Sequence, residues 1–212
     1  MATVKVKGTA KLFNNRFLES LTRTNPVVIL AFYLPISIFL AWYFYHYFSP
    51  SPLKLGSLFI GGFFTWTFFE YIMHRFIFHF ITEAEWSKKF HFFVHGVHHE
   101  YPKDKDRLVM PPAASLLIAG VFFLLFHLIL GSSAFVFFSG FLIGYLCYDL
   151  IHYILHAFRP PHNFTKFLWE YHNIHHFRNG DKAFGVSSPI WDHVFGTYPP
   201  KIVKKSSQAG NH

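Results

Sequence analysis

The chain has 212 residues, enough for one domain, and its formal net charge is +8 with histidine neutral, which in a soluble protein would favour a nucleic-acid partner. However, 52% of the residues are hydrophobic and only 14% are charged, against about 25% in ordinary soluble domains, so the composition favours a membrane protein with basic cytoplasmic parts and no nucleic-acid partner. A single cysteine, Cys147, excludes a disulfide framework.

Residues 1–25 form a basic segment ahead of the first apolar run. They contain five lysines and arginines and lack the apolar core of a signal peptide. We therefore expect a cytoplasmic N-terminal lead, with an interfacial helix over residues 11–21.

Four apolar runs follow this lead. A helix needs about 20 residues to cross the hydrocarbon core of a bilayer. The runs that approach this length are residues 26–48, 53–73, 113–130 and 134–151. Short connections join the first run to the second and the third to the fourth. The sequence therefore predicts an all-α membrane protein with four transmembrane helices in two hairpins, and residues 26–198 as its membrane domain.

Lysines and arginines are distributed unevenly around these runs. Eighteen of the nineteen lie in the N-terminal lead, the central segment or the C-terminal segment, and only Lys54 lies at an outer turn. The positive-inside rule then places the His-rich segments 80–112 and 152–198 on the cytoplasmic side, where we expect them to form a helical cap. Residues 199–212 are predicted to be a disordered tail.

The histidines follow a repeated pattern, H-x-x-H-H, at residues 95–99 and again at 172–176. On an α-helix, positions i, i+3 and i+4 share a face, so each repeat is predicted to aim three imidazoles at one point. Two further pairs bring the number of candidate metal ligands to ten. They are His74, His79, His95, His98, His99, His152, His156, His172, His175 and His176.

Ten imidazoles exceed what one ion can use, since a metal takes about four to six ligands. The sequence therefore predicts two metals. His74 and His79 are five residues apart, about 140° around an ideal helix, which favours ligation of different metals. Zinc is a possible occupant, but two neighbouring ions at a membrane surface favour iron, which changes oxidation state.

Two carboxylates lie near the ends of apolar runs, where an unpaired charge is costly. Glu70 precedes His74 by four residues, and Asp149 precedes His152 by three, so each shares a helical face with a candidate ligand. We predict that each carboxylate accepts a hydrogen bond from an imidazole and thereby fixes its tautomer. The alternative is an ion pair with Arg75 or another basic group.

Residues around the histidines add seven motifs. They are Thr65–Tyr71, His74–His79, His95–Pro102, Asp106–Pro112, Gly144–His156, Tyr171–Phe177 and Trp191–Thr197. Together they resemble the fatty acid hydroxylase and sterol desaturase superfamily of membrane di-iron enzymes, and most closely the fatty acid 2-hydroxylases, over about residues 56–198.

The resemblance implies O₂-dependent hydroxylation of a long fatty acyl chain, most specifically at the 2-position, with two iron ions. It also implies a separate electron donor, such as cytochrome b5 or a ferredoxin with its reductase, because the chain has no room for the cytochrome b5 domain of many eukaryotic members. It further implies a division of the ligands. One ion would take His74, His95, His98, His172 and His175, and the other the remaining five.

The candidate ligands lie near the cytoplasmic ends of the predicted spans, which places carbons close to the lipid head group beside the metals. Lys103, Lys105 and Arg107 could attract an acidic head group, and whether the acyl carrier is a free acid, a thioester or an amide stays open. A desaturase or C–H oxidase of the same superfamily is the alternative enzyme. A histidine-rich metal transporter is the alternative from another class, but it should place its ligands near the bilayer midplane.

Overall fold

The computed structural model describes residues 4–5 and 8–200, and every regular element in those ranges is helical. The α-helices are α1 (Arg16–Ser20), α2 (Pro26–Phe48), α3 (Pro52–Ile72), α4 (Glu85–His91), α5 (Val97–Glu100), α6 (Pro112–Leu130), α7 (Ala134–Ala157), α8 (Lys166–Phe177) and α9 (Ile190–Val194). π-Helical turns cover Met73–Phe78 and Phe92–Gly96. Most of the predicted tail, residues 201–212, lies outside the described residues.

The four long helices coincide with the four predicted apolar runs. α2 and α3 begin with a capping side chain followed by proline: Asn25 accepts a hydrogen bond from the Val27 amide, and Ser51 accepts one from the Lys54 amide. In the N-terminal lead, the observed helix α1 is shorter than the predicted one, because Asn15 caps it and accepts hydrogen bonds from the Phe17 and Leu18 amides.

Within the described chain, two stretches are long and apolar enough to cross a membrane, Pro26–Phe48 and Lys105–Ala157. The second stretch contains both α6 and α7, which are joined by a 3-10 turn at Gly131–Ser133. α3 is not among these stretches. It carries Lys54, Glu70 and three glycines. The apolar helices suit a membrane, whereas the four-span topology remains a prediction.

α7 lies at the centre of the bundle and contacts α2, α3 and α6. Two glycines allow its backbone to approach that of α3. A Cβ atom on Gly140 would lie 1.9 Å from the carbonyl oxygen of Phe59, and one on Gly62 would lie 1.8 Å from that of Phe137. Aromatic rings fill the space beyond, where Trp66 packs edge-on against Phe141. This close approach brings the C-terminal ends of α3 and α7 to the same end of the bundle, and those ends lead into histidines.

We predict that Gly140→Ala destabilises the protein by at least about 1–3 kcal/mol, because the added methyl must force α3 and α7 apart. The measurement is the midpoint of thermal unfolding of the purified protein in detergent. Gly120→Ala on α6 is the matched control, since its Cβ would meet no atom within 4 Å. Its midpoint should stay unchanged or rise, because alanine favours the helix by about 1 kcal/mol. Equal midpoints for the two variants would contradict this account of the packing.

Candidate metal centre

The predicted ligands converge into two groups in the described part of the chain, and within each group the candidate ligand atoms lie within 4.8 Å of one another. The first group contains His74, His79, His95, His99 and His175. The second contains His98, His152, His156, His172 and His176. All members of the second group are buried, whereas His79 and His99 in the first are half-buried.

Each H-x-x-H-H repeat supplies both groups, so the prediction that it aims three imidazoles at one point is wrong. In the first repeat, His95 and His99 belong to the first group and His98 to the second. In the second repeat, His172 and His176 belong to the second group and His175 belongs to the first. The reason is angular: positions i+3 and i+4 diverge by about 100°, so a helix lying between two sites gives one position to each.

His74 and His79 belong to one group, contrary to the prediction that their spacing separates them. α3 continues into the π-helical turn Met73–Phe78, and the His79 amide donates to the His74 carbonyl at 3.2 Å. A π-helix repeats through i to i+5 hydrogen bonds, so residues five apart share a face. The division implied by the resemblance is corrected accordingly: the first group holds His79 and His99 in place of His98 and His172.

The donor atoms fit metal ions. Nε2 atoms of neighbouring rings in the same group lie 2.7–3.1 Å apart. Three rings donate through Nδ1 to backbone carbonyls, and these bonds are His74 to Phe184 at 2.5 Å, His152 to Leu108 at 3.1 Å and His175 to Lys182 at 2.8 Å. A neutral imidazole that donates at Nδ1 has a bare lone pair at Nε2. Converging lone pairs repel one another unless a cation or a shared proton lies between them.

Burial keeps these imidazoles neutral, which is the form that binds metals. Desolvation lowers the pKa of His79 to about 3, assisted by the nearby His175 and His91. Desolvation also lowers the pKa of His175 to about 4. The pKa values of His95 and His99 fall well below their usual range for the same reason, with smaller contributions from neighbouring histidines.

The segment 178–189 supports the first group through its backbone. Its carbonyls at Lys182 and Phe184 are the ones that accept the Nδ1 bonds. Asp192, completely buried, fixes this segment by accepting hydrogen bonds from the Phe184 amide at 2.9 Å and the Gly185 amide at 2.7 Å. Sequence reasoning assigned no role to Lys182 and Phe184, because a backbone carbonyl leaves no signal in the identity of its residue.

Glu70 is bonded neither to an imidazole nor to Arg75 in the described structure. It is buried and accepts hydrogen bonds from the amide of Ser187, at 2.8 Å, and from its hydroxyl. Arg75 instead donates to the hydroxyl of Tyr71 at 2.7 Å. Glu70 therefore holds the same segment that Asp192 holds, and it contacts the metal ligands only through that segment.

A cavity of about 290 Å³ lies beside both groups. His95 from the first group lines it, together with His98 and His152 from the second. Most of its wall is apolar, and on one side it continues between α6 and α7 past Phe122 and Phe141. An elongated apolar molecule in this cavity would lie against both groups of histidines.

Asp149 faces the same cavity from α7. It is buried, and its Oδ2 has no hydrogen-bond partner within the described residues. The hydroxyl of Tyr145, one helical turn earlier, is likewise unpartnered. The predicted bond from Asp149 to an imidazole is thus not present, and the carboxylate faces the cavity instead.

Two of the basic residues expected to attract an acidic head group are engaged elsewhere. Arg107 is buried and lies 2.5 Å from Glu19 and 3.4 Å from Asp104. Lys103 donates to the carbonyl of His156 at 2.8 Å. Among the described residues that line the cavity, Arg107 is the one lysine or arginine, and its charge is already neutralised.

We predict that Asp192→Asn weakens metal binding at the first group by about 10–100-fold, because the segment that orients His74 and His175 loses its anchor. Metal content per chain, measured on the purified protein after mild chelation, should fall because the first group loses its ion, whereas the second group should keep its ion. Asp181→Asn, an exposed change in the same segment, is the control. Equal retention of metal in the two variants would contradict the role of Asp192.

Known proteins resemble this chain in sequence. The family model described as fatty acid hydroxylase matches residues 59–197. The chain is 37% identical to the dihydroceramide fatty acyl 2-hydroxylase of Arabidopsis thaliana, over 97% of its own length and 86% of the relative's. It is 42% identical to the ceramide very long chain fatty acid hydroxylase of Saccharomyces cerevisiae, over 91% of its own length and 50% of the relative's.

A solved structure agrees with the sequence comparison. The structure of full-length Scs7p, in which only the hydroxylase domain is visible, superposes with a TM-score of 0.84 at 41% identity, covering 92% of this chain and 74% of that one. The two groups of histidines, the apolar cavity and these matches lead to one conclusion: the chain belongs to the fatty acid hydroxylase family.

Proposed function

We propose that the protein hydroxylates a long acyl chain at its 2-position, with two iron ions held by the two groups of histidines. The observation that carries the proposal is the cavity, because one apolar space is lined by imidazoles of both groups. The names of the relatives from Arabidopsis and yeast support the same reaction.

The ten imidazoles would hold the ions, five to each, and when bound the ions supply the activation of O₂. The overall reaction converts a C–H bond to C–OH with one oxygen atom of O₂, while the other leaves as water. It consumes two electrons and two protons. A separate one-electron donor, such as cytochrome b5 or a ferredoxin with its reductase, would provide the electrons, and solvent would provide the protons. The half-buried edge at His79 and His99 is the side from which electrons would enter.

The residues of the chain would contribute orientation and a dry environment. Carbonyls of Phe184, Lys182 and Leu108 fix three imidazoles in the tautomer that presents Nε2 to an ion. The aromatic and aliphatic wall excludes water from the reacting carbon.

The direction of the cavity supports the 2-position. From the level of His152 it continues along α7 to Phe141, a distance of roughly 17 Å at the rise of an α-helix. An acyl tail in that apolar part gains about 0.8 kcal/mol for each buried CH₂ group. Its carboxyl end would then lie level with the histidines, with the second carbon beside them.

The charges of the wall favour an uncharged acyl carrier. Glu19 and Asp104 already neutralise Arg107. A free carboxylate would therefore find no unpaired lysine or arginine among the described lining residues, whereas an amide needs none. We therefore propose an N-acyl lipid of the dihydroceramide type as the substrate.

We predict that cells expressing the protein with a competent electron donor accumulate 2-hydroxy fatty acids in amide-linked lipids. The measurement is mass spectrometry of hydrolysed lipids. His98→Ala should abolish the product and lower the metal content from about two ions per chain toward one, since it removes a ligand. His162→Ala, which alters an exposed histidine, should do neither. A new double bond, or an oxygenated sterol without hydroxy fatty acid, would assign the protein to another reaction of its superfamily.

The proposal includes four membrane spans with the histidines on the cytoplasmic side. It is supported by the meeting of the ends of α3 and α7 at the metal centre, which requires those ends to lie on one side. The uneven distribution of basic residues supports the orientation.

We predict that single cysteines at Ser51→Cys and Lys105→Cys, in a Cys147→Ala background, report opposite sides of the membrane. An impermeant thiol reagent added to sealed, oriented vesicles makes the measurement. Labelling of both positions from one side would refute the four-span arrangement.

A further inference from the structure

The N-terminal residues 8–24, which we call the strap, lie across the segment that follows α5. The Thr24 amide donates to the carbonyl of Asp106 at 2.8 Å, and the Thr9 hydroxyl donates to the carboxylate of Asp104. The ring of Phe13 stacks on that of Phe93, with centroids 5.6 Å apart. The strap lies outside residues 59–197, the range that the family model matches.

An ion pair between the buried Arg107 and the half-buried Glu19 fixes the strap in place. Arg107, with its side chain 3% exposed, donates to Glu19 at 2.5 Å, to the Thr22 hydroxyl at 2.6 Å and to the Ala10 carbonyl at 3.0 Å. The other carboxylate oxygen of Glu19 accepts the amides of Leu12 and Phe13, both at 2.9 Å. Glu19 thereby ties α1 to the residues that precede it.

Two strap residues, Leu12 and Thr22, form part of the cavity wall. They line it together with Phe93, Val94 and Met110, none of which belongs to the long helices. The apolar part of the cavity, past Ile118 and Phe122, lies on α6 and α7 instead. Histidines line the cavity together with the strap residues and the residues of α6 and α7. An acyl lipid with its tail between α6 and α7 would therefore extend its head group toward the strap.

We propose that the strap forms the head-group wall of the acyl cavity and that Leu12 determines which head groups fit. The proposal rests on the proposed function for the orientation of the lipid. Glu19 acts as a positioning residue, since it fixes Leu12 through the backbone and contacts Arg107 rather than the lipid. The ligand class is an acyl lipid whose head group is uncharged and narrow enough for the part of the cavity that Leu12 lines.

The test measures equilibrium binding of lipids to the purified full-length protein in detergent. The probes are a dihydroceramide, its glucosylated form and a dihydroceramide with a shorter acyl chain. Leu12→Trp should weaken binding of dihydroceramide about tenfold, because the larger ring occupies the head-group space. Leu12→Ala should instead raise the affinity for the glucosylated lipid relative to dihydroceramide. Both variants should keep the ranking of the two chain lengths.

Two matched variants complete the experiment. Leu18→Trp makes the same change at an exposed strap position and should leave all three affinities unaltered. Ile118→Trp, in the apolar part, should change the ranking of chain lengths but not that of head groups. Unfolding midpoints and metal contents of all variants identify any misfolded protein.

The outcomes separate the two proposals. The role of the strap is refuted if Leu12→Trp and Leu12→Ala bind all probes as the wild type does, or if they alter only the ranking of chain lengths. That conclusion holds even if the protein is found to catalyse 2-hydroxylation. If the head-group effects occur but the reaction product is not a 2-hydroxy acid, the strap stands and the proposed reaction fails.

Discussion

The convergence of ten imidazole lone pairs in a buried space is the constraint on which the rest of the structure depends. Neutral nitrogens at 2.7–3.1 Å from one another repel unless a cation or a shared proton lies between them. Burial prevents protonation from relieving this repulsion, as the pKa of about 3 at His79 indicates. Each group is therefore a candidate metal site, and the surrounding residues hold its rings in place.

Backbone carbonyls orient several of these rings, and carboxylates hold the segment that carries two of those carbonyls. Asp192 and Glu70 hold the segment 178–189, and that segment presents the carbonyls that orient His74 and His175. A buried carboxylate bonded to backbone amides is well satisfied, whereas one bonded directly to an imidazole would also change the charge at the site. Both carboxylates thus fix the segment that orients two of the rings without bonding to an imidazole themselves.

The close packing of α3 on α7 and the position of the cavity are related. Glycines let the two backbones touch: Gly62 and Gly140 lie against backbone carbonyls of the facing helix, and Gly144, nearer the histidines, lies against Trp66. Trp66 and Tyr145 pack edge-on at that level, and side chains of α3, α6 and α7 line the cavity beside them. Close backbone packing and large aromatic side chains therefore occur in one bundle, with an apolar space next to the histidines. The strap and the ion pair of Arg107 with Glu19 form the wall opposite the bundle.

The sequence alone predicted the four long helices, the ten candidate ligands and the family. Apolar runs bounded by proline and capping residues predicted α2, α3 and α6 to within one residue at each end, whereas α7 extends six residues beyond its predicted end, to Ala157. Histidine spacing identified the candidate ligands because few other structures explain so many imidazoles in an apolar chain.

The tertiary structure decided how those ligands divide, and it did so for two physical reasons. The angle between positions i+3 and i+4 separates two histidines only where the helix lies between two sites. The spacing of the histidines does not reveal where the helix lies. The π-helical turn at Met73–Phe78 carries no sequence signature and reverses the relation between His74 and His79. Ser187 lies 117 residues from its partner Glu70, and Glu19 lies 88 residues from its partner Arg107, and such pairs are selected by packing rather than by local sequence.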